Sequence, residues 1–133
     1  MGVALDFTLF IDPARRRPAA LRKVAELESR NEVSVVPTSV AYEVLSGILH
    51  SKSRTQASRF RGWLSRFQVA GLDLLAAERA ALIRSELAHL GRLNGTGDIL
   101  TAGIALAGGH SLVTRDSEFP AISEATGLVV ESY

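Results

Sequence analysis

Four short runs rich in apolar residues, at positions 3–5, 33–36, 111–114 and 128–130, are separated by stretches whose apolar residues recur at helical spacing. Runs this short and this continuous read as parallel strands buried on both faces, because a half-exposed strand would alternate apolar with polar residues. The first run ends at Asp6, and Pro18 then occupies a first helical position ahead of Leu21, Val24 and Leu27. The second run is closed by Pro37, after which Thr38 or Ser39 is expected to cap a helix carrying Val44, Leu45, Ile48 and Leu49. Ser53 and Gln56 have the form of a capping box for a helix whose face is Phe60, Trp63, Leu64 and Phe67. A brief strand is expected at 68–72, and Asp73 is positioned to cap a long Ala-Leu-rich helix running to about Leu93. The break "NGTG" at 94–97 precedes a helix expected to begin at Asp98 and to end at Gly108 and Gly109. Strand and helix alternation of this kind predicts an α/β fold with a mainly parallel sheet, in which ligands gather at the carboxyl ends of the strands.

The 133 residues suit one domain, residues 1–133, and nearly half of them are apolar, enough for a real core. With no cysteine there is no disulfide framework and no thiolate chemistry. No apolar stretch reaches about 18 residues and no signal-peptide pattern opens the chain, so the expected location is cytoplasmic, without a membrane span. A formal charge of +1 is too small to diagnose nucleic-acid binding, but its distribution is uneven. From Val44 to Leu72 there are Lys52, Arg54, Arg59, Arg61 and Arg66 and no acid.

Acids recur at equivalent places: Asp6 after the first strand, Glu43 early in the helix after the second, Asp98 opening a later helix, and Asp116 after "LVT". One Asp after an apolar run ordinarily caps a helix or forms a turn. A set of them at strand ends is different, since carboxylates brought together unpaired raise one another's pKa and call for a cation. Oxygen donors alone select magnesium or manganese. Ser39, Ser46 and Gly47 lie three or four residues from Glu43, and Thr101, Ala102 and Ala105 surround Asp98, leaving room for an ion, water and a phosphate.

The stretches "ALDFTLFID", "VVPTSVAYEVLSG", "GTGDILTAGIALAGGHSLVTRDSEF" and "GLVVES" resemble, in order and spacing, the successive motifs of PIN domains, VapC-type toxin ribonucleases in particular. The resemblance implies a Rossmann-like three-layer α/β/α sandwich and a Mg2+- or Mn2+-dependent nuclease site. Carried over residue by residue, Asp6, Glu43, Asp98 and Asp116 are its catalytic, metal-holding acids. Thr114 matches a hydroxyl that holds Asp116 or contacts the phosphate. The chain departs from the family after Asp6, where Phe7 stands in place of a hydroxyl residue and Thr8 is the nearest substitute.

The implied reaction is metal-assisted hydrolysis of an RNA phosphodiester, in tRNA, rRNA or mRNA. Arg115 is the basic residue best placed for the scissile phosphate, and Lys52, Arg54 and Arg59 are candidates for contact with the RNA backbone. Arg15, Arg16 and Arg17 are read as a solvated loop. His50, His89 and His110 have no metal-ligand spacing and are expected to be non-catalytic. Phe60 and Trp63 are expected in packing rather than base stacking. The resemblance further implies a VapB-like antitoxin lying over the helices at 39–51 and 53–67, with Tyr42 and Leu49 as candidate contacts, plain core packing being the alternative for both, and a homodimer. An alternative reading is a catalytically weak PIN module binding RNA or a protein partner in a regulatory or assembly role; a DNA-directed nuclease ranks last.

Overall fold

The computed structural model describes residues 2–11, 16–92 and 94–133; Arg15 and Leu93 lie outside the described residues. Among these residues twelve elements follow one another: β1 (Gly2–Leu5), α1 (Thr8–Ile11), α2 (Pro18–Ser29), β2 (Val33–Pro37), α3 (Thr38–His50), α4 (Arg54–Leu64), β3 (Gln68–Ala70), α5 (Leu74–His89), α6 (Thr96–Gly108), β4 (Ser111–Val113), α7 (Phe119–Thr126) and β5 (Val130–Glu131). The strands form one sheet in the order β3-β2-β1-β4-β5. All four pairings are parallel, with Leu5 opposite Val113 and Ala4 opposite both Val35 and Leu112.

Alternate residues of the central strands feed two separate cores, as the pleat requires. Val3, Leu5 and Val113 pack with Val40 and Val44 of α3 and Phe60 of α4. Ala4 and Leu112 pack on the other face with Ile83 and Leu87 of α5, Ala102 of α6 and Phe119 of α7. Helices on both faces of a parallel sheet make a three-layer α/β/α sandwich: the alternation led one to expect the parallel sheet, and the family resemblance the three layers. Each large side chain buried here contributes about 2 kcal/mol of transfer free energy.

Local signals hold where they are covalently close. Ser53 accepts a hydrogen bond from the Gln56 N–H at 3.2 Å and Asp73 from the Ala76 N–H at 2.9 Å, each closing a helix start. Gly109 adopts φ 69°, the left-handed turn that ends α6. Phe10 of α1 meets Phe60 and Phe67 edge-on, with centroids 5.4 and 6.2 Å away, and Trp63 at 6.1 Å, so these aromatics do pack inward.

Other expectations require correction. Neither Thr38 nor Ser39 caps α3: its N-cap is Pro37, which offers no side-chain bond. Ser39 instead spends its hydroxyl on Thr101 of α6, 2.7 Å away. α6 begins at Thr96, inside the "NGTG" break, so Asp98 sits within its first turn rather than at its start. β3 stops at Ala70, and β5 begins at Val130, with Leu128 buried beneath α7 instead. The short α1 and α7 carry too few residues to show helical periodicity. Among the described residues no helix is long and apolar enough to cross a membrane.

Candidate active site

Asp6 follows β1 by one residue and Thr114 follows β4 by one. These strands are neighbours at the place where winding reverses, since β1, β2 and β3 progress one way and β4 and β5 the other. Such a switch point opens a crevice at the carboxyl edge of the sheet. Asp6 and Thr114 are each 1 % exposed. The Thr114 hydroxyl donates to Asp6 Oδ2 at 2.6 Å and accepts from the Asp116 N–H at 2.9 Å. Burial pushes the Asp6 carboxyl up to about 6; hydrogen bonds from Thr114 and the Phe7 backbone oppose this, while the charges of Glu43 and Asp116 add to it.

Glu43 and Asp98 arrive from α3 and α6, which the Ser39–Thr101 hydrogen bond holds together at the sheet edge. A Cβ built on Gly97 would stand 2.7 Å from Glu43 Oε1, so the bare backbone lets the first turn of α6 come up against that carboxylate. Burial, then the charges of Asp116, Asp6 and Glu118, push Asp98 up to about 7. Burial, then Asp98 and Asp116, raise Glu43 as well. Asp6, Glu43 and Asp98 thus each feel two other members of the quartet, which brings residues up to 110 positions apart into one electrostatic cluster.

A cluster of hard oxygen donors that raise one another's pKa fits a divalent cation, which removes the repulsion. Among the described residues no group of three or more His, Cys, Asp or Glu side chains is already arranged to hold a metal ion. The fit is one of charge and donor chemistry. Beside Glu43 and Asp98 opens a cleft of about 650 Å³, whose walls include Thr38, Tyr42, Leu72 and Leu100.

The remaining predicted site residues are distributed unevenly. Thr114 does bond Asp116, but through the backbone N–H; the carboxylate it orients is that of Asp6. Thr8 is buried in α1 and its hydroxyl has no hydrogen-bond partner among the described residues, so it makes no bond to Asp6. Arg115 lies exposed between Thr114 and Asp116. Lys52, Arg54 and Arg59 are exposed; Lys52 and Arg54 follow the far end of α3, which is roughly 10 Å along the helix axis from Glu43, and Arg59 lies on α4. Arg16 and Arg17 precede α2, the former at φ 55°. Ser46 and Gly47 are exposed and do not line the cleft. His110 is structural, accepting from the Gly2 N–H on Nδ1 at 3.1 Å.

A fifth acid, Glu118, escaped the sequence reading. Its N–H donates to Asp116 Oδ1 at 3.0 Å, and its own carboxylate accepts from Asn94 of the "NGTG" break at 2.9 Å. The spacing of Asp116 and Glu118, two residues apart, was the available signal.

The PIN domain family model matches residues 3–125. The chain belongs to the PIN domain family. No curated protein matches it. Among solved structures, this PIN domain superposes on a chain of DNA-bound VapBC from Salmonella typhimurium with TM-score 0.79 and 26 % identity, covering 99 % of this chain and 98 % of that one. It superposes on a chain of VapBC2 from Rickettsia felis, bound to a promoter DNA fragment, with TM-score 0.82 and 22 % identity over 100 % and 99 % of the two chains. For VapBC-1 from nontypeable Haemophilus influenzae the values are 0.82 and 22 %, over 99 % and 98 %.

Proposed function

We propose that this PIN domain is a metal-dependent endoribonuclease, the toxin of a VapBC-type toxin–antitoxin pair. The observation that carries the reading is the mutual influence of Asp6, Glu43, Asp98 and Asp116 at the switch-point edge of a PIN sheet. The VapBC complexes among its structural neighbours support the toxin role and a VapB-like antitoxin as partner.

In this reading Asp6, Glu43, Asp98 and Asp116 would hold Mg2+ or Mn2+, which would supply charge to polarise the phosphodiester and to lower the pKa of a water. Thr114 keeps Asp6 turned toward the cluster by its short hydrogen bond, and through the Asp116 N–H sets where the fourth acid projects. The Ser39–Thr101 bond fixes the approach of Glu43 to Asp98. Arg115 is assigned to the phosphate, and Lys52, Arg54 and Arg59 to the RNA backbone further out.

A titration of Mg2+ and of Mn2+ into the purified protein with tRNA and rRNA fragments tests this, with Asp116→Ala as control. Cleavage should require the ion and fall by two orders of magnitude or more in the variant. Cleavage that persists in Asp116→Ala, or without any divalent ion, would sink the assignment.

A further inference from the structure

The cleft beside the carboxylates is larger than an ion and a phosphate need, and its remaining wall is of another kind. Tyr42, adjacent to Glu43 on α3, is 72 % exposed yet lines it. Leu72, at 46 % exposure, and Leu100 face the same space. Gly95 lines its α6 side without a side chain, and Gly97, also bare, stands against the Glu43 carboxylate. Thr38 and Thr96, both exposed, add hydroxyls at the rim.

An exposed aromatic ring and two leucines next to a cluster of acids make an unusual pair of walls. One demands a cation, and through it an anion; the other demands a flat apolar group within a few ångströms of that anion. A nucleotide carries both, its phosphate and its base separated by one sugar. We propose that this cleft is a nucleobase subsite in which the Tyr42 ring stacks on an unpaired base flanking the cleaved phosphate, with Leu72 and Leu100 enclosing it. The proposal rests on the ribonuclease reading and adds a residue that selects single-stranded RNA. Every base has a π-face, so the ring requires a splayed-out base without reading its identity. A helix from a protein partner is the competing occupant and would use Leu49, 60 % exposed one heptad along the same face of α3, but Leu49 does not line the cleft, whereas Glu43 and Asp98 do.

Fluorescence anisotropy with a random-sequence 12-nucleotide RNA, and with an abasic ribose-phosphate chain of the same length, tests it in Mg2+. All proteins carry Asp116→Asn to prevent cleavage. Tyr42→Ala should bind the RNA about ten-fold more weakly, Tyr42→Phe should bind it as the parent does, and the abasic chain should not distinguish the three. Tyr42 is exposed, so its truncation leaves the core intact, and the Phe variant controls for the fold. Equal RNA affinity for Tyr42→Ala and parent, or an equal drop on the abasic chain, overturns the base subsite and leaves the ring to a protein partner. No RNA binding by any of the proteins overturns the ribonuclease reading itself, and the subsite with it.

Discussion

The hydroxyl of Thr114 lies 2.6 Å from Oδ2 of Asp6 and donates to it, joining the ends of adjacent strands β4 and β1 across 108 positions of sequence. Both groups are buried, and the same hydroxyl accepts from the Asp116 N–H. Replacing it by a methyl in Thr114→Val keeps the volume but removes both bonds. The Asp6 carboxyl should rise above about 6, because the hydrogen bond that lowers it is gone. Stability should drop by about 1–3 kcal/mol in urea unfolding, the cost of unpaired buried groups. Mn2+ affinity by calorimetry should fall about ten-fold, the usual effect of losing a partner behind a ligand. Thr114→Ser should restore both; unchanged affinity in Thr114→Val would show that Asp6 needs no orientation.

The metal-free protein should lose stability as pH rises. Asp6 and Asp98 sit at about 6 and about 7, above the 3.8 of an exposed aspartate, so between about pH 4 and 7 the folded chain holds more protons than the unfolded one. The stabilising contribution is therefore full below the unfolded value and disappears as pH passes through the folded values. Glu131, held down to about 2 by Arg30, acts in the opposite direction, but only as pH falls below about 5, where the unfolded chain takes up its proton. Melting temperature in EDTA should be several degrees higher at pH 5.5 than at pH 8, and Mg2+ should recover the loss at pH 8. Asp98→Asn should flatten the slope. An identical slope in wild type and Asp98→Asn would contradict the argument.

Gly97→Ala separates activity from stability. The added Cβ strikes the end of the Glu43 side chain at 2.7 Å, and a carboxylate can swing away at little cost to the fold. Alanine also favours the helix by about 0.5–1 kcal/mol. Thermal stability should be unchanged or raised while RNA cleavage falls at least about ten-fold, since displacement of a catalytic group by about 1 Å is expensive. Full activity in this variant would remove Glu43 from the site.

Gly103→Ala should act in the opposite manner. There the Cβ meets Ala76 O at 2.7 Å, Ala80 Cβ at 2.8 Å and Ala80 N at 2.9 Å. Backbone of α5 cannot yield as a side-chain tip can, so the two helices must separate. A loss of about 2–3 kcal/mol in urea unfolding is expected, from the overpacking of a tight helix pair. A loss below about 0.5 kcal/mol would mean that α5 and α6 are free to slide.

What could be read before folding was whatever depends on neighbours in the chain. Residues 3–5 and 111–113 were legible as strands because buried parallel strands are continuously apolar, and Ser53 and Asp73 as caps because a cap bonds an N–H three residues away. Ser39 misled for the same reason in reverse, since its hydroxyl goes to Thr101, 62 positions on, while Thr38 falls at the first helical position after Pro37. The acids were nameable from motif order, but Glu118 was not, because its importance lies in charge felt through space by Asp98.

The sequence by itself determined the alternation of strand and helix, the apolar faces and two of the caps, all properties of side-chain type and short-range spacing, and its motif order singled out four acids as site candidates. Only the tertiary structure decided that β1 lies against β4, that Thr114 reaches Asp6, that bare backbone at Gly97 admits Glu43, and that Tyr42 stands in the cleft beside it. The physical reason is range. Hydrogen bonds and steric contacts act over a few ångströms and carboxylate repulsion not much further, so none of them exists until the chain has brought distant residues together.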